Sequence, residues 1–259
     1  MVAIFLSELS LKSLIVIPAR LDSTRLPGKM LLADTGKPLI QHTWESASES
    51  NKASQIIVAT DDDTIFQAVG KFGGQVEMTD ASHRSGTDRV AEVAQRHGEF
   101  EIVVNVQGDE PEVPGQAIDA AISILEDHPD AVMSTLATPI RTKKSLDDPA
   151  CVKVIVDSQG RAIYFSRSPI PHPRNFDESL LHKSPPVFLQ HVGLYAYRRD
   201  FLLKIADLAP CDAETTESLE QLRVLHAGYS IQVAMIDSPI FGIDTPDDYL
   251  QFVRSTSND

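Results

Sequence analysis

Positive charge is scarce in this chain. Its 23 Lys and Arg residues face 37 Asp and Glu, for a formal net charge of −14 and a pI near 4.9. A general nucleic-acid binder needs a basic face, so that class is excluded. Cysteine is nearly absent: Cys151 and Cys211 lie far apart with no C-x-x-C spacing. Neither a disulfide framework nor a thiolate metal site is expected, and both thiols are read as reduced and cytosolic. No apolar run approaches the roughly 18 residues that span a bilayer. The glycine signatures of nucleotide folds are missing too, both G-x-x-x-x-G-K-[ST] and G-x-G-x-x-G. That argues against a P-loop and against a nicotinamide oxidoreductase. Residues 1–13 contain a short apolar run interrupted by Glu8, with no basic residue before it. They read as an extension rather than a signal peptide. There is no internal repeat or low-complexity linker, and residues 14–259 are expected to form a single domain.

The stretch that organises the chain is LIVIPARLDSTRLPGKMLL, residues 14–32. Leu14, Ile15, Val16 and Ile17 predict a strand buried on both faces, which Pro18 should end. Arg20, Arg25 and Lys29 follow against one acid, Asp22, and Pro27-Gly28 forces a turn. A positive loop after a first strand, in so acidic a protein, suggests a site for a polyanion such as a nucleoside triphosphate. Open α/β sheets place their ligands at that position.

Alternation continues downstream. A helix is expected after Pro38, taken as its first residue. A strand at 55–60 then runs into Asp61-Asp62-Asp63, which reads as a helix cap more readily than as a metal site. A helix over 65–72 stops at Gly73-Gly74, and a short strand covers 75–78. Thr87 is the expected cap of a helix over 90–97, although a Ser85-Gly86-Thr87 turn can also offer backbone N–H groups to a nucleobase or phosphate. The strand at 101–106 ends in Gln107-Gly108-Asp109, where Asp109 fits either a metal carboxylate or a plain turn. A helix over 114–126 completes four strand–helix units and implies a parallel sheet. Strands are expected at 131–139, 187–197 and 230–236, and a hairpin at 152–166. Helices are expected at 200–208 and 214–226, then a terminal one with Asp244 as its candidate cap. His191 reads as a core or edge residue. Glu217 and Gln221, four apart on one helical face, fit a shared pocket wall or a surface pair.

Four segments together carry a resemblance: IPARLDSTRLPGK, VNVQGDEP, the pair FSRSPIP and HVGLYAYRR, and ESLEQLRVL followed by GIDTPDD. Over about 14–253 the chain resembles the CMP-Kdo synthetases, the 3-deoxy-manno-octulosonate cytidylyltransferases. It departs from their pattern at Asp88, where glutamate is usual, and at His172, where an aromatic is. The resemblance implies an α/β three-layer sandwich around a mostly parallel, mixed sheet, like other nucleotide-diphosphosugar transferases. It implies the reaction CTP + Kdo → CMP-Kdo + pyrophosphate with Mg²⁺, in a cytoplasmic homodimer that activates Kdo for lipopolysaccharide. A β-rich subregion within 131–197 is the expected dimer contact.

Carried over by motif, Arg20, Arg25 and Lys29 would hold the triphosphate, and Asp109 and Asp244 the metal. Pro18, Ala19, Ser85, Gly86 and Gln107 would lie near the nucleotide. Arg167, His191, Tyr195, Glu217 and Gln221 would line the sugar-acid side. The alternatives are a cytidylyltransferase for 8-amino-Kdo or another sugar acid, and a non-catalytic nucleotide-binding regulator on the same fold.

Overall fold

Strand β1 (Ser13–Ala19) is buried along its whole length, and the sheet is built outward from it. In this computed structural model, which describes residues 11–83 and 85–256, most of the N-terminal extension lies outside the described residues. β2 (Ala53–Thr60) pairs parallel with β1 on one side, β3 (Val76–Met78) continues beyond it, and β4 (Ile102–Asn105) pairs parallel on the other side. Between them run α1 (Leu39–Ala47), α2 (Asp63–Lys71), α3 (Gly86–Arg96) and α4 (Gly115–Asp127).

The two-residue period of a strand sorts β1 between two cores. Ile15 and Ile17 pack with Ile40 of α1, Val69 of α2 and Ile118 of α4. Leu14 and Val16 face the other way, toward Val90 and Val93 of α3. Two apolar faces need two helical layers, so the three-layer α/β expectation holds.

Beyond α4 come β5 (Met133–Pro139), α5 (Lys143–Asp147) and the hairpin of β6 (Lys153–Val156) and β7 (Ala162–Ser166). β8 (Leu189–Arg198) follows, then α6 (Arg199–Leu202), α7 (Asp212–Glu217), α8 (Gln221–His226), β9 (Ile231–Met235) and α9 (Pro246–Thr256). The strand order is β3-β2-β1-β4-β8-β5-β9, with β6 attached to β8 and β7 to β6. β8 runs antiparallel to both β4 and β5.

One irregularity opens the site. Thr135 of β5 pairs with Tyr195, but the next residue, Leu136, pairs with Val192, so Gly193 and Leu194 bulge out of register. β8 pairs with β4 only over residues 195–198, after the bulge. The strands diverge where β4 also ends, leaving a cleft at its carboxyl end.

Several expected boundaries moved for local reasons. Pro38 and Pro114 stand at the N-caps in extended conformation, not inside their helices. Asp62 caps α2 as expected, accepting from the N–H groups of Thr64 and Ile65. Ser85, not Thr87, caps α3. Its hydroxyl accepts from the Asp88 N–H while the Asp88 carboxylate accepts from the Ser85 N–H, both at 3.1 Å. The helix expected over 200–208 is one turn, α6, followed by a 3-10 turn, Ile205–Asp207. That expected over 214–226 breaks at Ser218 into α7 and α8.

Candidate active site

Three loops leaving the sheet carry the charged groups. After β1 the chain turns at Gly28, whose φ of 66° is left-handed and costly for other residues. The following 3-10 turn, Lys29–Leu31, buries Lys29 to 8% exposure, which an ammonium tolerates only when fully paired. It donates to Asp109 Oδ2 at 2.5 Å, to the Ile243 carbonyl at 3.0 Å and to Asp244 Oδ1 at 3.3 Å.

Asp109 is placed by Gly108. A Cβ on Gly108 would lie 2.9 Å from the Pro18 carbonyl and 3.1 Å from the Met30 sulfur, so only glycine passes this close to β1. Thr43 Oγ1 fixes the Gly108 carbonyl at 2.8 Å. The loop before α9 is joined to this one by Ile243 N–H donating to the Asp109 carbonyl at 2.8 Å. Asp244 does not cap α9. Thr245 and Asp248 do so reciprocally, which leaves the Asp244 carboxylate for Lys29 and for Arg25 Nη2 at 3.0 Å. Arg20 lines the same cleft and donates to the His83 carbonyl at 3.2 Å, drawing in the loop before α3. The buried Arg89 anchors α3 to the end of β2 through Asp61 at 2.8 Å and the Thr79 hydroxyl.

Asp109, Asp244 and the Ile243 carbonyl therefore converge on a single cation, supplied by the protein itself. Three hard oxygens of this kind suit Mg²⁺, which takes one or two carboxylates together with substrate phosphates. Among the described residues no group of three or more His, Cys, Asp or Glu could hold a metal. The pair of aspartates is the fitting donor set.

This charged chamber, about 320 Å³, shares Gly86 and Gln107 with a second one of about 380 Å³. Pro18 lines the first and Ser85 the second; Ala19 packs into the core and brings no side chain to either. His191, Gly193, Tyr195 and Tyr197, alternate residues of β8, line the second chamber, so the two-residue bulge preserved their common face. His191 Nε2 lies 2.9 Å from Thr135 Oγ1. That hydroxyl has one proton and two backbone carbonyls within 3.0 Å, so His191 is the donor to it. Burial pulls the His191 pKa down to about 3 and pushes the Tyr195 and Tyr197 hydroxyls up; all three are neutral. Gln221 is 5% exposed, and its Nε2 has no hydrogen-bond partner among the described residues.

Two residues carried over from the resemblance are not among those that line the chamber. Arg167 and Glu217 lie behind the chamber wall, bonded to each other: Arg167 N–H donates to Glu217 Oε2 at 2.9 Å and Arg167 Nε to the Glu217 carbonyl at 2.7 Å. Glu217 and Gln221 do not share a helical face, because the chain breaks between them at Ser218. The sequence reading also passed over Tyr197 and Glu220, which line the chamber, and Glu110 beside Asp109. Tyr197 was recoverable, being two residues from Tyr195 on a strand. Glu110 gave no signal: burial first, then the Asp109 charge, raises its pKa to about 8, and its Oε2 is buried without a partner among the described residues.

Comparison with known proteins agrees with this geometry. Residues 14–231 match a family model described as cytidylyltransferase. The 3-deoxy-manno-octulosonate cytidylyltransferase of Rhodopirellula baltica is 47% identical over 243 residues, covering 93% of this chain and 97% of its own. That of Geobacter sulfurreducens is 48% identical, covering 90% and 94%. A solved structure of CMP:2-keto-3-deoxy-manno-octonic acid synthetase complexed with CTP superposes with a TM-score of 0.88. It is 41% identical and covers 95% of this chain and 99% of its own.

Proposed function

This chain belongs to the cytidylyltransferase family and, within it, to the 3-deoxy-manno-octulosonate cytidylyltransferases, and we propose on that premise that it converts CTP and Kdo into CMP-Kdo and pyrophosphate. The observation that carries the reading is the meeting of Asp109 and Asp244, from two separate loops, around the Lys29 ammonium of a third, with Arg25 on the other Asp244 oxygen. No structural need of the sheet explains four charges there; a polyphosphate does.

The triphosphate occupies the charged chamber, where CTP brings roughly four negative charges that must be offset before an anionic sugar acid can approach. Lys29, Arg25 and Arg20 bind its β- and γ-phosphates and stabilise the charge that grows on the departing pyrophosphate. The Kdo 2-hydroxyl oxygen bonds to the α-phosphorus, the bond from that phosphorus to the β-phosphate bridge breaks, and pyrophosphate leaves, taking up the proton the hydroxyl gives up. Gly86, Ser85 and Gln107, at the junction of the chambers, orient the nucleoside. His191, Tyr195 and Gln221 position Kdo as neutral partners for its hydroxyls, and their buried setting excludes water that would compete as acceptor. Asp109 and Asp244 would hold Mg²⁺, which supplies charge neutralisation to the phosphates and polarises a bound hydroxyl.

The wider setting belongs to the same proposal. Two free thiols and an acidic surface suit a cytoplasmic enzyme that supplies activated Kdo for lipopolysaccharide. No helix among the described residues is long and apolar enough to cross a membrane. Ile163 and Tyr164 of β7 are 57% and 36% exposed, and such an apolar edge suits the contact of a homodimer; light scattering at the monomer mass would remove that element.

Pyrophosphate release is the test, with purified protein, Mg²⁺, each of the four nucleoside triphosphates, and Kdo beside its 8-amino analogue. The expected result is release that requires CTP and Kdo together. Equal turnover of all four nucleotides, or none with CTP and Kdo, would refute it.

A further inference from the structure

The wall of the second chamber contains the one non-glycine residue among those described with a left-handed backbone: Ser218, at φ 52° and ψ 53°. A serine does not settle there unaided, because its Cβ crowds the backbone. It ends α7, its N–H bonded to the Glu214 carbonyl, and neighbours from other elements hold it there. Arg167 Nε donates to the Glu217 carbonyl at 2.7 Å, and Nη2 donates to the Ser218 carbonyl at 3.4 Å. Nη1 reaches the Pro149 carbonyl at 3.1 Å, which fixes the guanidinium from its far side. The Glu217 carboxylate reaches back, accepting from Ser166 Oγ at 2.6 Å and from the Arg167 N–H at 2.9 Å. Beneath them the fully buried Lys153 donates to the carbonyls of Arg167 and Asp148, both at 2.8 Å.

This network holds the segment that presents Ser218, Leu219, Glu220 and Gln221 to the chamber. A buried amide N–H without a partner is a liability in the empty protein and an asset only if a ligand takes it. The turn places that residue, Gln221, in the chamber wall.

We propose that Arg167 and Glu217 are positioning residues for the sugar-acid substrate. They hold Ser218 left-handed, and the turn so held directs the Gln221 amide at the bound acceptor without either residue touching it. The inference rests on the placement of the acceptor given above.

Steady-state kinetics with CTP and Kdo separate this role from direct contact. Arg167→Met should raise the KM for Kdo about tenfold, the size of one lost hydrogen bond, and leave the KM for CTP within about twofold. Arg167→Lys, which keeps a donor for the carbonyls, should fall between, and serves in place of the methionine variant should that fail to fold. Adding Ser218→Gly should restore most of the lost Kdo affinity, since glycine adopts the left-handed turn without a clamp. A residue that contacts the acceptor itself cannot be rescued in this way, so absence of rescue overturns the positioning role. Gln221→Ala should match the loss in Arg167→Met. An unchanged Kdo KM in Gln221→Ala overturns the inference together with the acceptor placement, whereas a raised KM without rescue overturns the inference alone.

Discussion

At one end of the cleft Arg25, Lys29, Asp109 and Asp244 form a chain of ion pairs, and at the other stand four neutral side chains, His191 and Tyr195 half-buried and Tyr197 and Gln221 buried. The charged end sits on loops that leave β1 and β4 and precede α9, with Arg25 65% and Asp244 47% exposed at their side chains. The neutral end sits on a bulged strand and a clamped turn inside the sheet. Charge on exposed loops can rearrange when a polyphosphate arrives, and it is there that preorganised electrostatics lower the barrier. Neutral groups fixed in a buried wall cannot rearrange as freely, and they discriminate by leaving polar atoms unpaired when the wrong acceptor binds.

The largest effect that would sharpen this contrast comes from Lys29→Met. Losing the ammonium buried in the cleft should lower kcat by about 10²–10³ while the KM for Kdo moves little. An equal loss in Kdo affinity would mean that the two ends do not divide the labour as described. Arg25→Met should cost less, about fivefold or under, because an exposed pair is screened by solvent. Its effect should shrink further at high salt, and a salt-insensitive loss as large as that of Lys29→Met would break the comparison.

The smallest effect is on stability and belongs to the neutral end. Burial holds His191 near a pKa of about 3, below the unfolded value of 6.5. The unfolded chain therefore takes up a proton that the folded one refuses. The stability contributed by keeping His191 neutral is complete above pH 6.5 and falls as pH drops from there toward 3. Thermal melts of His191→Gln should fall less steeply over that window than those of the unaltered chain. Parallel curves would show that the ring is not held neutral by burial.

The contrast also explains what could be read in advance. Lys29, Asp109 and Asp244 each lie in a short motif beside a strand or helix end, where sequence position and spatial position nearly coincide. The convergence of Lys29 and Asp109 needed only the parallel order of β1 and β4, whereas Asp244 comes in on the loop that follows the edge strand β9. The Asp244 alternative, a helix cap, was settled by Thr245 and Asp248, whose three-residue spacing is that of a capping box. The acceptor end was legible only in part. Alternation along β8 identifies one face for His191, Tyr195 and Tyr197, yet the register shift against β5 that opens the cleft depends on pairing between strands distant in sequence. Residues 214–226 carry the apolar pattern of one helix. The chain breaks it at Ser218 because Arg167, some fifty positions earlier, bonds the carbonyls of that turn. Tertiary bonds overrode local propensity there, and with it went the shared helical face expected of Glu217 and Gln221.

Whether the charged end drives the reaction is tested most directly by pyrophosphate release from Asp109→Asn, folded as judged by its melting curve, at saturating CTP, Kdo and Mg²⁺. The substitution keeps the side chain's size and removes its charge. Turnover lower by about 10²–10³ is the expected result; turnover near that of the unaltered protein would contradict it.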